Sequence, residues 1–261
     1  MAERVWTEVA DRIAKVTIDN TARHNALTGA MVHDLVETFD RLHHDPEVWV
    51  IILRAEGSVS FSSGRDLSET ARSDAQQGVN PDALPMRGAI RNVFEVIIEC
   101  GKPVIGAIFG NTLGGGAELA LACDLRLAAS DLRFGFPEVR RGFGANFAAA
   151  MLPRLIPLGV SNELLYTGRI IDAETAATLG LVNRVVDPAT LDTEVEGFAL
   201  ELLRSAPLTI RRHKAMATRS IHLPLAAALR LDPMPDVYQS DDRREGVAAF
   251  MEKRHPRWKA K

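Results

Sequence analysis

Runs and alternations of apolar residues predict strands and helices that alternate along most of the chain. Residues 12–19 alternate between polar and apolar types, which predicts a half-exposed strand, whereas the continuous apolar runs Val48–Leu53 and Pro103–Phe109 predict buried strands. A helix is predicted over Thr28–His43, because apolar residues recur there at helical spacing, namely Met31, Leu35, Phe39 and Leu42.

Helices are also predicted for Gly88–Cys100 and Gly116–Ala122, with a strand over Asp124–Ala129. From Phe147 onward the pattern is helical apart from a short strand over Val182–Val186. A loop is expected from residue 55 to residue 66, and the polar stretch Ser68–Pro85 is expected to be mobile.

Strand–helix units therefore alternate to about residue 187, and helices alone follow. This order predicts an α/β core with an α-helical tail. Pro207 can begin a helix, which places the boundary between a core of residues 1–206 and a helical region of residues 207–261.

Composition narrows the class of protein. The chain has 261 residues, of which 46% are hydrophobic, so a large buried core is expected, and the net charge of −3 argues against a nucleic-acid binder. We expect no membrane span, because no apolar run reaches about eighteen residues. The amino end lacks the apolar stretch of a signal peptide, and Cys100 and Cys123 lie in apolar surroundings, so a cytoplasmic protein with reduced thiols is expected.

Two glutamates stand in segments that are otherwise apolar or rich in glycine. Glu118 begins a predicted helix after three glycines, and Glu138 follows a predicted strand. Burying an unpaired carboxylate is costly, and two carboxyls in one pocket can divide acid and base work. The pair thus predicts proton transfer beside a carbonyl group. The plainer alternatives are a helix-dipole role for Glu118 and an ion pair of Glu138 with Arg140 or Arg141.

Two loops after buried strands have the small residues that let a backbone approach a ligand. They span residues 60–66 and 110–116, and one N–H from each would form an oxyanion hole. The alternative is that both are only tight turns. The sequence contains no dinucleotide-binding motif, no Walker motif and no serine-hydrolase elbow. Its seven histidines show no metal-ligand spacing, so no metal site is expected.

Four motifs in a fixed order carry a family resemblance. They are Phe61–Leu67 (FSSGRDL), Lys102–Ala107 (KPVIGA), Gly114–Leu119 (GGGAEL) and Phe134–Glu138 (FGFPE). The chain resembles the enoyl-CoA hydratase/isomerase (crotonase) family from about residue 5 to residue 258, with further matches at residues 24–27, 166–169, 177–183 and 244–254. Within that family, residues 205–208 and 254–259 are similar to carnitinyl-CoA dehydratases.

The resemblance implies a fold and an assembly. The fold is a spiral of ββα units with a C-terminal α-helical trimerisation region, and the assembly is a homotrimer or a hexamer built as a dimer of trimers. The expected partner is an acyl-CoA thioester, with coenzyme A as part of the substrate and no other cofactor.

The resemblance also assigns roles to residues. The N–H groups of Ser63 and Gly115 would bind the thioester oxygen, Glu118 would deprotonate water, and Glu138 would deliver the C2 proton. Substrate or coenzyme A contacts are expected from Asn25, Ala26, Leu27, Phe61, Gly64, Arg65, Asp66, Gly114 and Asn146.

The segment Gly142–Ala149 departs from the pattern of many hydratases. Asn146 falls near a position that is often glycine, Phe143 and Phe147 would crowd the acyl pocket, and Arg65 replaces a small residue. The expected activity is reversible hydration of a 2-enoyl-CoA. Two alternatives stay open: a double-bond isomerase that uses Glu138 alone, and an acyl-CoA-binding protein without turnover.

Overall fold

The computed structural model describes residues 3–77 and 91–261, which form a mixed α/β structure. The strands are β1 (Arg4–Ala10), β2 (Ile13–Asp19), β3 (Val50–Ala55), β4 (Val104–Ile108), β5 (Asn111–Leu113), β6 (Leu125–Ala129), β7 (Arg133–Gly135), β8 (Ile170–Asp172) and β9 (Arg184–Val186). The helices are α1 (Gly29–His44), α2 (Leu67–Gln77), α3 (Val93–Glu99), α4 (Gly115–Ala122), α5 (Asn146–Leu155), α6 (Leu158–Thr167), α7 (Ala173–Thr178), α8 (Leu191–Leu203), α9 (Pro207–Ser220), α10 (Leu225–Ala228) and α11 (Asp241–Met251).

The larger sheet has six strands in the order β1-β2-β3-β4-β6-β9, and a smaller sheet of three strands has the order β5-β7-β8. Only the β1–β2 pair of the larger sheet is antiparallel. All five residues of β4 are buried, as expected for a parallel strand covered on both faces. Because β3 and β4 are parallel neighbours, the loops that follow them leave from the same edge of the sheet.

Most of the predicted elements are present, with shifted ends. The predicted strands at residues 12–19, 48–53, 103–109 and 124–129 correspond to β2, β3, β4 and β6, and the predicted helix at residues 28–43 corresponds to α1. The predicted helix at residues 88–100 begins at Val93, where the side chain of Asn92 accepts a hydrogen bond from the N–H of Glu95; residues 88–90 lie outside the described part of the chain.

The stretch Ser68–Pro85, which is expected to be mobile, is helical in its first half. Residues 67–77 form α2, because the carboxylate of Asp66 accepts hydrogen bonds from the N–H groups of Ser68 and Glu69 and so caps the helix. Residues 78–85 lie outside the described part of the chain. The sequence pattern also missed β8, which interrupts the helical region after Phe147.

The helical tail is joined to the core by an ion pair in which Lys214 is buried and Asp124 is partly exposed. Lys214 on α9 donates from Nζ to the Asp124 carboxylate at 2.7 Å and to the carbonyl oxygen of Lys102 at 3.0 Å. The Asp124 carboxylate also accepts a hydrogen bond from the N–H of Val104 at the start of β4. Pro207 is the first residue of α9, at the predicted boundary. In the described residues no helix is both long and apolar enough to cross a membrane.

We predict that Lys214→Met lowers the free energy of unfolding by about 3 kcal/mol, because it leaves the Asp124 carboxylate without its cation. The control is Arg169→Met, which removes an ion pair with Glu163 whose two side chains are about half exposed; it should cost less than about 1 kcal/mol. Urea unfolding followed by circular dichroism measures both changes. Equal losses in the two variants would contradict the role given to Lys214.

Candidate active site

The two glycine-bearing loops interlock at the edge of the sheet where β3 and β4 end. Ser62 pairs with Thr112 in a parallel bridge, and the N–H of Leu113 donates to the carbonyl oxygen of Ser62 at 2.9 Å. The backbones touch so closely that a Cβ on Gly116 would lie 2.2 Å from that same oxygen. Only glycine permits this contact.

The interlocked loops bring Gly64 and Gly115 together. Gly64 packs on the first residue of α4, since a Cβ on Gly64 would lie 2.8 Å from the nitrogen of Gly115. As the first N–H of the helix, that of Gly115 has no acceptor in a preceding turn. The N–H of Ser63, in contrast, donates to the carbonyl oxygen of His24 at 3.0 Å.

Glu118 lies in the first turn of α4 and is buried, with an exposed fraction of 8%. Its Oε1 accepts a hydrogen bond of 2.9 Å from the N–H of Ala148, the third residue of α5. Because Ala145 before α5 offers no capping side chain, Glu118 supplies the acceptor that this helix end needs. Burial, aided by the negative charge of Glu138, raises the pKa of Glu118 to about 7, while the N–H groups of Ala148 and Phe147 act in the opposite direction.

Glu138 lies in a short 3₁₀ turn, Pro137–Arg141, directly after β7. Its Oε2 is buried and has no hydrogen-bond partner in the part of the chain that the structure describes. Burial raises the pKa of Glu138, and its own N–H and the charge of Arg141 act against this rise. A Cβ on Gly114 would lie 3.1 Å from Oε2, which places this carboxyl beside the N-terminus of α4.

One short segment holds both glutamates. The N–H of Phe143 donates to the carbonyl oxygen of Glu138 at 3.1 Å, and five residues later Ala148 donates to the carboxylate of Glu118. Two carboxyl groups with raised pKa values thus face the N-terminus of one helix. This arrangement suits general acid and base chemistry on a molecule whose developing negative charge is bound at that N-terminus.

Several predicted substrate contacts have side chains that brace the loops instead of facing solvent. Asn25 is buried, and its amide donates to the carbonyl oxygens of Glu56 and Ser60. The Asp66 carboxylate caps α2 and pairs with Arg23 at 2.5 Å. Ala26, Leu27 and Phe61 are buried apolar residues. Any contact between these residues and a substrate would therefore be made mainly by their backbone atoms.

Other predicted contact residues are placed differently. Arg65 and Asn146 are exposed, whereas Gly64 and Gly114 are buried glycines with positive φ angles of 89° and 52°. The sequence reasoning missed Ala148 and His24, which act through a backbone N–H and a backbone carbonyl. No residue-type signal marks such roles. Among the described residues no cluster of three or more His, Cys, Asp or Glu side chains is placed to hold a metal ion.

Comparison with known proteins supports the resemblance seen in the motifs. Residues 8–261 match the family model described as enoyl-CoA hydratase/isomerase. The chain is 34% identical over 255 residues to a crotonyl-CoA hydratase of Syntrophomonas wolfei, covering 97% of this chain and 96% of that protein. It is 35% identical over 268 residues to a carnitinyl-CoA dehydratase of Escherichia coli K12, covering all of both chains.

The fold agrees with that of solved relatives. The crystal structure of an enoyl-CoA hydratase from Bacillus anthracis superposes with a TM-score of 0.89 at 32% identity, covering 98% of this chain and 99% of that one. The predicted crotonase-like α/β fold is thereby confirmed. The chain belongs to the enoyl-CoA hydratase/isomerase (crotonase) family.

Proposed function

We propose that this protein is a hydro-lyase that reversibly adds water to a 2-enoyl-CoA thioester. The observation that carries the proposal is the pair of carboxyl groups at the N-terminus of α4. One is held by Ala148, and the other has a buried oxygen without a hydrogen-bond partner among the residues that the structure describes. The similar proteins named crotonyl-CoA hydratase and carnitinyl-CoA dehydratase support this reaction class.

The two carboxyl groups divide the proton transfers. Ionised Glu118 takes a proton from water as the water oxygen bonds to C3, and protonated Glu138 gives a proton to C2. The thioester gains one water molecule, and the proton lost by Glu138 equals the proton gained by Glu118. Exchange with solvent then restores the starting protonation states. The N–H of Ala148 favours the ionised form of Glu118, whereas burial favours the protonated form of both carboxyl groups.

The thioester oxygen would bind at the N–H groups of Gly115 and Ser63. Gly115 supports this role directly, because its N–H is at the helix N-terminus, where the helix dipole favours negative charge. Ser63 can take this role on one condition: its N–H must turn from the carbonyl oxygen of His24 to the thioester oxygen. His24 is exposed, so water can replace any hydrogen bond that its carbonyl loses.

We propose that coenzyme A enters only as part of the substrate and that proton transfer and hydrogen bonding carry the reaction. We also propose a cytoplasmic location, in keeping with the free, buried thiols of Cys100 and Cys123.

The reaction itself is tested by incubating the protein with crotonyl-CoA and following mass. A gain of one water molecule supports the hydratase. An unchanged mass with a shifted double bond, measured on a 3-enoyl-CoA, would identify the isomerase instead. Binding of both thioesters without any turnover would identify a binding protein.

We predict that Glu118→Gln and Glu138→Gln each lower kcat for crotonyl-CoA hydration by roughly 10²-fold or more, the usual scale of general acid–base catalysis. The amide keeps the shape of the side chain but cannot accept or deliver the proton. Glu163→Gln, on the exposed surface of α6, serves as the control and should leave kcat unchanged. Wild-type rates in both active-site variants would refute the assignment.

We predict that hydration falls as pH drops below about 7, because Glu118 must be ionised and burial raises its pKa to about 7. Ala148→Pro removes the N–H that favours the ionised form, so the acid limb of the kcat/KM profile should move to higher pH. Proline is tolerated in the first turn of a helix. Ala148→Gly keeps the N–H and should keep the wild-type limb; identical profiles for the two variants would show that this hydrogen bond does not tune Glu118.

We propose that the tail assembles the protein into a trimer or a pair of trimers, because it exposes large apolar side chains that need a partner surface. These side chains, each at least 59% exposed, are Ile221, Leu225, Leu229, Met234, Val247, Phe250 and Met251. Light scattering should give three or six times the chain mass. Phe250→Glu should weaken assembly, whereas Val9→Glu, an exposed apolar site on β1, should not. A fully active wild-type monomer at micromolar concentration would overturn the proposal.

A further inference from the structure

The rings of Phe94 and Phe147 form a stacked pair at the buried side of the candidate site. Their centroids are 4.8 Å apart and their planes are inclined by 24°. Phe94 is the second residue of α3, and Phe147 is the second residue of α5. Both side chains are buried, with exposed fractions of 9% and 5%. The pair therefore joins the first turns of two helices that both pack against α4.

The stack lies beside the carboxyl group that is proposed to activate water. Phe147 directly precedes Ala148, whose N–H donates to Oε1 of Glu118, and the N–H of Phe147 also acts on that carboxylate. A carbon atom that receives the water held by Glu118 must lie close to this turn of α5. The ring of Phe147 is attached to this same turn of α5.

The direction of the substrate follows from which side of the site is open. The nucleotide of coenzyme A is large and charged and has to remain at the surface, where His24 and Arg65 are exposed beside the loop of Ser63. With the thioester oxygen at Gly115, the carbon chain beyond C3 therefore points inward, past Glu118. On that side the backbone turn of Phe147 leads into the closed stack.

We propose that the Phe94–Phe147 stack is the end wall of the acyl pocket and restricts the enzyme to short 2-enoyl thioesters of the crotonyl size. The inference rests on the proposed hydratase function, since it takes the position of the substrate from Gly115 and Glu118. Rings in stacking contact leave no gap, and packed interiors resist the insertion of extra methylene groups. A longer chain would have to part the two rings.

The test compares kcat/KM for crotonyl-CoA and trans-2-decenoyl-CoA in wild type, Phe147→Ala, Phe94→Ala and Leu152→Ala. Wild type should prefer crotonyl-CoA. Both phenylalanine variants should raise the ratio of decenoyl to crotonyl activity about 10-fold or more, within the range that methylene-sized changes in apolar pockets produce. Leu152 is a fully buried residue further along α5, so its variant loses core packing without opening the stack and should keep the wild-type ratio.

Phe147→Leu provides a milder variant if the alanine variants do not fold; it keeps apolar bulk, removes the stack and should give an intermediate ratio. The inference would be overturned if wild type hydrates both substrates equally well. It would also be overturned if the folded phenylalanine variants keep the wild-type ratio of decenoyl to crotonyl activity. If wild type hydrates neither substrate, the proposed function fails. Binding affinities then test separately whether the two rings form the end wall. In that case butyryl-CoA should bind more tightly than decanoyl-CoA in wild type, and equal or reversed affinities would overturn the inference.

Discussion

The site depends on one contact between two backbones, in which the carbonyl oxygen of Ser62 lies against the Cα of Gly116. A Cβ at this position would lie 2.2 Å from the oxygen, far inside any tolerated separation. The contact fixes the N-terminus of α4 against the loop that follows β3. Through it, the position of Gly115 relative to Ser63 is set by main-chain packing, and side-chain rotamers have little influence on it. A backbone oxyanion site needs this kind of rigidity, because its donors must be in place before charge develops.

The same helix end explains why two buried carboxyl groups can coexist. Each would be expensive to ionise in isolation, and burial raises both pKa values. Glu118 is compensated by the first turn of α5, whose Ala148 N–H would otherwise lack a partner. For Oε2 of Glu138, no such hydrogen-bond donor is found among the described residues. The hydrogen bond from Ala148 therefore distinguishes two side chains that are chemically identical.

Sequence patterns predicted the parts of this site that depend on residue type. A continuous apolar run predicts a buried strand. Glycine in a loop indicates a position where a Cβ cannot fit, and a carboxyl group in an apolar segment indicates a functional role. Three-residue strands such as β5 and β8 are too short to show a period. The helix α2 was missed because its polar composition hides its main stabilising feature, the cap from Asp66. Asn25 was placed at the substrate by family resemblance, and only the structure shows that its side chain is saturated by backbone groups.

The hydrogen bond between Ser63 and His24 would hold the proposed oxyanion donor in place without substrate. An N–H held open in a partly buried loop would be poorly satisfied, and leaving it without an acceptor costs free energy. The carbonyl oxygen of His24 supplies an acceptor at 3.0 Å. His24 and Asn25 both adopt left-handed backbone angles, with φ values of 55° and 52°, which carry strain for residues other than glycine. Asn25 holds this turn through its buried amide, so the strain is maintained by the bonds that brace the loops. A thioester oxygen at this position would therefore replace an existing acceptor for the Ser63 N–H, while the N–H of Gly115 gains a partner. The binding free energy of the oxygen should then come mainly from Gly115 and the N-terminus of α4, with Ser63 contributing the difference between two acceptors.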